Sequence, residues 1–251
     1  ILCTKRGIIK KTELEDFSRP RQNGINAITI EEGDQLLDVS LTDGTGYVMM
    51  AVKSGRAITF PESKVRTTGR GAIGVYGIEL DEAKDEVIGM ICVAKKDLLQ
   101  KQVLVVSEKG LGKRTPLIME IEEGENPDEL SNLIELEDDN GNTHKYQLTY
   151  RITNRGGKGV RTINITDKTG ALVGLLAVEV KDDLMITCKS GITIRMKVEA
   201  IREASRATQG VKLINLDEGD EIAAIARIEE QEDDVDEIEN TSNEETTNTE
   251  S

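Results

Sequence analysis

Aromatic side chains are almost missing from this chain of 251 residues, which has no Trp, two Phe and four Tyr. Unpaired bases are held on aromatic platforms, so binding of single-stranded nucleic acid is excluded as a main role. Histidine is scarcer still: the single one, His144, lies in an acidic stretch, and neither a Ser–His nor a Cys–His nucleophile is readily assembled around it. The three cysteines, Cys3, Cys92 and Cys188, are scattered through apolar runs, which excludes a zinc cluster and suits core thiols in a reducing cytoplasm. No apolar run is long enough to span a membrane. Helical periodicity is weak everywhere except around Glu199 to Ala204. With 37% apolar residues and so few rings, any core must be filled by Ile, Leu and Val.

What the chain does have is a module written four times. Each copy is an apolar run, a basic turn ending in Gly, a second apolar run, a basic loop with its own Gly, a third run, then an acidic turn and a further apolar strand. The turn glycines are Gly7, Gly55, Gly110 and Gly191, and the loop glycines are Gly24, Gly74, Gly159 and Gly210. Strand-length runs bounded by glycine turns predict β-hairpins, because Gly reaches positive φ without a Cβ clash. Four strands per unit at a period near 50 residues predict an all-β, propeller-like array whose units complete their cores against one another. The boundaries fall at 1–47, 48–100, 101–180 and 181–228, followed by an acidic tail over 229–251. Ile1 already lies inside a strand, so the first module is expected to be truncated at its start.

The third unit carries extra sequence from Ile118 to Leu148, which holds ten carboxylates and one Lys, a net of −9. Loops accept insertions at low cost, and the segment is expected to be a solvated acidic loop. The tail holds eleven carboxylates and no Lys or Arg, a composition expected to be disordered. The total charge of −15, less these −9 and −11, leaves a repeat body of about +5. An acidic pI of 4.7 therefore describes the appendages rather than the repeats.

The basic residues recur at fixed places. One set follows the turns: Lys5, Arg6, Lys10 and Lys11; Lys53 and Arg56; Lys109, Lys113 and Arg114; Lys189, Arg195 and Lys197. A second set occupies the loops: Arg19 and Arg21; Lys64, Arg66 and Arg70; Arg151, Arg155, Lys158 and Arg161; Arg202, Arg206 and Lys212. Units arranged about an axis would turn this pattern into a basic belt suited to the phosphates of a duplex. The plainer alternative is that solvated turns simply carry Lys and Arg, since carboxylates share some of the same turns.

Several ordered strings then resemble one family: Lys10-Lys11-Thr12-Glu13-Leu14, Gly33-Asp34, Ile58 to Phe60, Gly69-Arg70 with Gly74 to Ile78, Gly112-Lys113-Arg114-Thr115, Arg155-Gly156-Gly157-Lys158-Gly159 and Thr208-Gln209-Gly210-Val211. Together they are similar to the C-terminal domain of DNA gyrase A, over essentially residues 1 to 228 outside the insertion. The resemblance implies a six-bladed β-pinwheel whose blades exchange strands, of which the last four are present here. It also implies a non-catalytic unit that wraps duplex DNA without sequence preference and supports negative supercoiling. The enzyme so implied pairs two A subunits with two B subunits, takes its ATP and Mg²⁺ in other domains, and works in the bacterial cytoplasm at the nucleoid. The catalytic tyrosine would belong to another domain, and no cofactor or metal is expected in this one. The pinwheel domain of topoisomerase IV and a protein-binding propeller stay open as alternatives.

The family's wrapping box combines Gln, basic residues and glycines. The nearest string here, Thr153-Asn154-Arg155-Gly156-Gly157-Lys158-Gly159, lacks the leading Gln and basic residue, so it resembles a degenerate copy, with the full box expected upstream of Ile1. Its glycines would let backbone N–H groups approach phosphate; alternatively they only join two blades. The residues expected to meet DNA are Lys10, Lys11, Arg19, Arg21, Lys64, Arg66, Arg70, Lys113, Arg114, Arg155, Gly156, Gly157, Lys158, Gly159, Arg195, Arg202 and Arg206. Two other strings are set aside. Gly69 to Gly74 has the dinucleotide-binding spacing but leads into a strand rather than a helix, and Asp167-Lys168-Thr169-Gly170 occupies an acidic hairpin turn. Glu137, Asp138 and Asp139 lack cation-loop spacing around Gly141.

Overall fold

The computed structural model describes residues 1–81, 85–121, 131–137 and 141–229. Along the chain the strands are β1 (Leu2–Thr4), β2 (Ile8–Lys10), β3 (Leu36–Val39), β4 (Tyr47–Val52), β5 (Arg56–Pro61), β6 (Val75–Tyr76), β7 (Val87–Val93), β8 (Gln102–Ser107) and β9 (Leu111–Pro116). They continue as β10 (Ile118–Glu120), β11 (Leu133–Glu137), β12 (Thr143–Leu148), β13 (Val160–Arg161), β14 (Leu172–Val178), β15 (Asp183–Cys188), β16 (Thr193–Lys197), β17 (Val211–Lys212) and β18 (Ile222–Ile228). The described residues form no α-helix. The helical hint near Glu199 resolves into one 3-10 turn, Val198–Ala200, because Ile201 is already extended at φ −83°, ψ 127°.

Four antiparallel sheets serve as blades, ordered β3-β1-β2-β6, β7-β4-β5-β13, β14-β8-β9-β17 and β18-β15-β16. In each of the first three, the last-named strand comes from the following module, so every such blade is completed by its neighbour. β3 packs against β7, β7 against β14 and β14 against β18, which puts this series of strands on the inside and the borrowed ones on the outer edge. The core lies between successive blades: Cys3, Ile9, Val48, Met50 and Phe60 in one layer, Met49, Ile91, Val103 and Leu175 in the next, Leu104, Leu184, Ile186 and Ile222 in the third. A blade with neighbours on both sides buries both faces of its central strands, which is why Val48–Val52 and Ala57–Phe60 are buried throughout. β16 has a neighbour on one side only and alternates, with Thr193, Arg195 and Lys197 exposed.

Two glycines at each junction make the exchange possible. At Gly74, Gly159 and Gly210 a Cβ would meet a backbone carbonyl of the preceding blade, Ile9 O at 2.7 Å, Gly112 O at 2.5 Å and, for Gly159, Ala57 O closer still. At the turns, Gly7, Gly55 and Gly110 would meet Ile78 O at 2.9 Å, Ile163 O at 2.9 Å and Ile214 O at 3.0 Å. The carbonyls of these turn glycines accept hydrogen bonds from the incoming segment, from Gly77, Thr162 and Leu213 N–H. Gly24 and Gly191 have nothing within 4 Å and belong to the halves of their modules that meet no exchanged strand here.

The insertion departs from the expected solvated loop. Its described residues form a three-stranded sheet, β10-β12-β11, and its apolar side joins the core through Ile118, Ile134, Leu136 and Leu148. Burial of each such side chain is worth about 1.5–3 kcal/mol, enough to hold an acidic sheet against the blades despite its charge. The alternation in β11, with Ile134 and Leu136 inward and Glu135 and Glu137 outward, is the sequence signal for it. Most of the acidic tail lies outside the described residues, as do Asp138 and Asp139.

Candidate nucleic-acid interface

The two sets of basic residues occupy different places and have different partners. At the hairpin turns, each acidic turn folds against a basic one. Asp34 accepts Arg6 N–H at 3.0 Å, Asp85 accepts Ser54 N–H at 3.1 Å, and Asp220 accepts Ser190 N–H at 3.1 Å. Side chains follow the same pairing: Arg56 reaches Asp81 at 2.6 Å, Lys53 lies 3.8 Å from Glu86, and Lys189 bonds Glu221. Lys109 Nζ donates to Asp167 O at 2.6 Å, and Lys109 N–H to Thr169 O, so the Asp167 to Gly170 string is a turn that closes a blade. Lys189 is held above and Glu221 below its ordinary pKa, each chiefly by the hydrogen bond to the other. This end of the blades is electrically mixed.

The loops are different. In modules two to four the chain crosses after the second strand, in module three after the inserted sheet, to the preceding blade, makes a parallel bridge there (Lys11 with Thr67, Thr59 with Ile152, Arg114 with Glu203), and runs down that blade's outer edge into the borrowed strand. Consecutive loops are also fastened to one another. Arg155 donates to Lys64 O at 2.9 Å and Tyr76 O at 3.1 Å, Arg206 donates to Arg161 O at 3.2 Å, and Asn164 N–H donates to Thr208 O at 3.1 Å. Along this chained edge stand Lys64, Arg66, Arg70, Arg151, Arg161, Arg202, Arg206 and Lys212, with Arg19 and Arg21 on the first loop. None of these side chains has a carboxylate at ion-pair distance among the described residues, and most are exposed.

The residues expected from sequence to touch DNA therefore divide. Lys10 and Lys113 are 1% and 0% exposed, and their ammonium groups are spent on loop carbonyls. Lys11 is 3.8 Å from the buried Glu62, Arg114 is bound to Ile201 O and Gln102 with Glu203 at 3.6 Å, and Arg195 pairs with Asp183 at 2.5 Å. In the glycine box, Arg155 is a stitch between loops, Gly156 N–H donates to Gly77 O at 2.7 Å, and Gly157 O accepts Glu79 N–H. Gly159 is the strand-exchange glycine of its module. Lys158 is exposed but lies 3.4 Å from Asp81. This geometry supplies what a blade-joining loop needs. Arg19, Arg21, Lys64, Arg66, Arg70, Arg202 and Arg206 remain without a carboxylate among the described residues. Arg161 and Lys212, outside the narrower set, hold the equivalent exposed position of β13 and β17, next to the half-buried Val160 and Val211. Their placement two residues after the loop glycines Gly159 and Gly210 was the signal for them.

Among the described residues no three His, Cys, Asp or Glu side chains gather as metal ligands, and no helix is long and apolar enough to cross a membrane. The free thiols are apolar fillers: burial pushes Cys3 far up and Cys92 to about 11.

The same blades are found in known proteins. The family described as DNA gyrase C-terminal domain, beta-propeller, matches residues 1–43, 46–94, 101–117, 149–179 and 182–229. The chain belongs to that family. The match passes over 118–148, the inserted sheet. Among curated relatives, the A subunit of DNA gyrase from Staphylococcus aureus (strain MRSA252) is 37% identical over 218 residues, which is 87% of this chain and 21% of the relative. The chain thus spans about a fifth of the relatives' length. Of solved structures, the C-terminal domain of DNA topoisomerase IV superposes with TM-score 0.72 at 21% identity, covering 91% of this chain and 61% of that one. The DNA gyrase A C-terminal domain superposes with TM-score 0.67 at 23% identity, covering 90% and 64%. Both likenesses concern the fold, an all-β propeller of this family.

Proposed function

We propose that this chain binds duplex DNA without sequence preference, along the outer edge of its blades, as the wrapping region of a DNA gyrase A protein. The observation that carries the reading is the segregation of charge: at the turn end Lys53, Arg56 and Lys189 have carboxylate partners, while on the chained outer loops Arg66, Arg70, Arg161, Arg202, Arg206 and Lys212 have none among the described residues and only Lys158 of the loop set is paired, with Asp81. Unpaired Arg and Lys on one curved edge suit phosphates, since each neutralised phosphate releases counterions. No inserted helix or ribbon among the described residues offers base-edge readout, so sequence preference is slight. Bending 20–30 base pairs costs about 1–6 kcal/mol, and several distributed contacts must offset it. Arg66, Arg70, Arg161, Arg202, Arg206 and Lys212 are the central contacts, with Arg19, Arg21, Lys64 and Arg151 extending them.

On this reading the chain contributes geometry and electrostatics to an ATP-dependent topoisomerase in the bacterial cytoplasm. Two such subunits assemble there with two B subunits, and the bent duplex is presented back to a cleavage core. The direct test is duplex affinity as a function of salt. Log K should fall linearly with log salt, with a slope near −0.9 per phosphate contacted. Affinity indifferent to salt, or to loss of Arg66 and Arg202 together, would overturn the reading.

A further inference from the structure

Lys10 and Lys113 occupy the same place in their modules, three residues after the turn glycines Gly7 and Gly110, on a blade's second strand. At that place modules two and four have Ile58 and Ile194. A solvent-facing lysine would be ordinary there. Both are instead buried, and buried lysines are rare unless every donor is satisfied. Lys113 Nζ meets three acceptors, Ser205 O at 2.5 Å, Thr208 O at 3.1 Å and Thr208 Oγ1 at 3.2 Å, one for each of its three N–H groups. Lys10 Nζ donates to Ala27 O at 2.5 Å and Arg70 O at 2.6 Å, and so joins the first loop to the second.

Every acceptor is a residue of a cation-bearing loop. Ser205 and Thr208 flank Arg206, Arg70 supplies its own carbonyl, and Ala27 follows Arg19 and Arg21 on their loop. The third loop, opposite Ile58, is held in another way: Gly157 sits against the Ile58 side chain and Arg155 binds Lys64 O and Tyr76 O. Where the strand offers no ammonium, the loop is pinned by its own arginine.

The geometry points to Lys10 and Lys113 as positioning residues, buried clamps that hold the outer loops so that their arginines line the duplex path, without touching phosphate themselves. The inference rests on the DNA reading above. It assigns two of the most basic-looking strand residues to internal work, and it makes rim geometry depend on contacts 60 to 95 residues apart in sequence.

The test replaces each lysine by methionine in the full chain and reads melting temperature, amide hydrogen exchange and affinity for a linear mixed-sequence duplex across a salt series. Methionine matches the stem and removes a charge from the interior but leaves Ser205 O, Thr208 O and Thr208 Oγ1 without that donor, so Lys113→Met should still fold and melt within a few degrees of the wild type. The amides of Ala204 and Thr208 should nonetheless exchange faster, and duplex affinity should fall about tenfold through the loosened Arg202 and Arg206. Lys10→Met should act on Thr29 and Ala72 and leave the 202–210 loop untouched. Thr208→Val, which removes one acceptor only, is the milder variant should methionine impair folding, and it should shift exchange in the same direction.

Duplex affinity lost with exchange unchanged would make these lysines phosphate contacts and overturn the clamp. Unchanged affinity with loosened loops would overturn the positioning role. If the wild-type chain bound duplex without salt dependence, the DNA reading would fall, and loop exchange in the two methionine variants would still decide the clamp.

Discussion

The turn end and the outer loop edge of the same blades both carry Lys and Arg, yet one is electrically mixed and the other mostly basic. At the turns, the acidic segment that follows each third run folds back on the basic hairpin beside it. Arg56 with Asp81 and Lys189 with Glu221 are the result. On the loops, apart from Lys158 beside Asp81, the neighbours are backbone carbonyls and other arginines, and the charge is left over for a partner. What decides the character of a basic residue is the company that the topology gives it.

The comparison would break most visibly at the edge. Replacing Arg66, Arg161 and Arg202 together by Ala should weaken duplex binding about a hundredfold and reduce the salt slope by about 3, read by titration at several salt concentrations. Next comes the strand exchange that carries the edge. Gly159→Ala drives a Cβ into Ala57 O at φ +72° and should destabilise the fold by roughly 2–4 kcal/mol in denaturant. Gly24→Ala, with φ +75° but open space, should cost about 1 kcal/mol or less.

A pH scan sharpens the same contrast from the interior. Desolvation chiefly, and Arg206 secondarily, lower Lys113 to about 8. A folded-state pKa below the unfolded one means that unfolding takes up a proton between about 8 and the ordinary lysine value near 10.5. Stability of the wild type relative to Lys113→Met should therefore rise with pH across that window. No trend would place this ammonium in water, and the opposite trend would mean that the fold stabilises its charged form. Removing Glu229 to Ser251, a segment with eleven carboxylates and no Lys or Arg, should tighten duplex binding several-fold and steepen its salt dependence. Unchanged affinity would reject competition by the tail. The smallest effect belongs to the turn end: Lys53→Ala with Lys189→Ala should alter duplex affinity less than about twofold, because exposed pairs of this kind contribute little and face their own carboxylates.

Much of the fold was legible in the residues. Gly7, Gly55 and Gly110, with Gly74, Gly159 and Gly210, stand where positive φ and close backbone approach leave no room for another side chain, so a repeat of glycines became a repeat of blades. The candidate edge was legible only in part. Loop arginines such as Arg66 and Arg202 stand exposed on the outer loops, whereas the inserted segment's charge concealed the Ile134 and Leu136 alternation that builds its sheet.

Local preferences thus determined the strands, turns and module period, because φ, ψ and side-chain alternation depend on near neighbours alone. Only tertiary structure decided which module completes which blade, and which of two lysines so alike in context as Lys10 and Lys11 goes inside. Those outcomes depend on carbonyls and carboxylates brought from distant loops, and the free energy of a buried charge is set by partners that the local sequence does not contain.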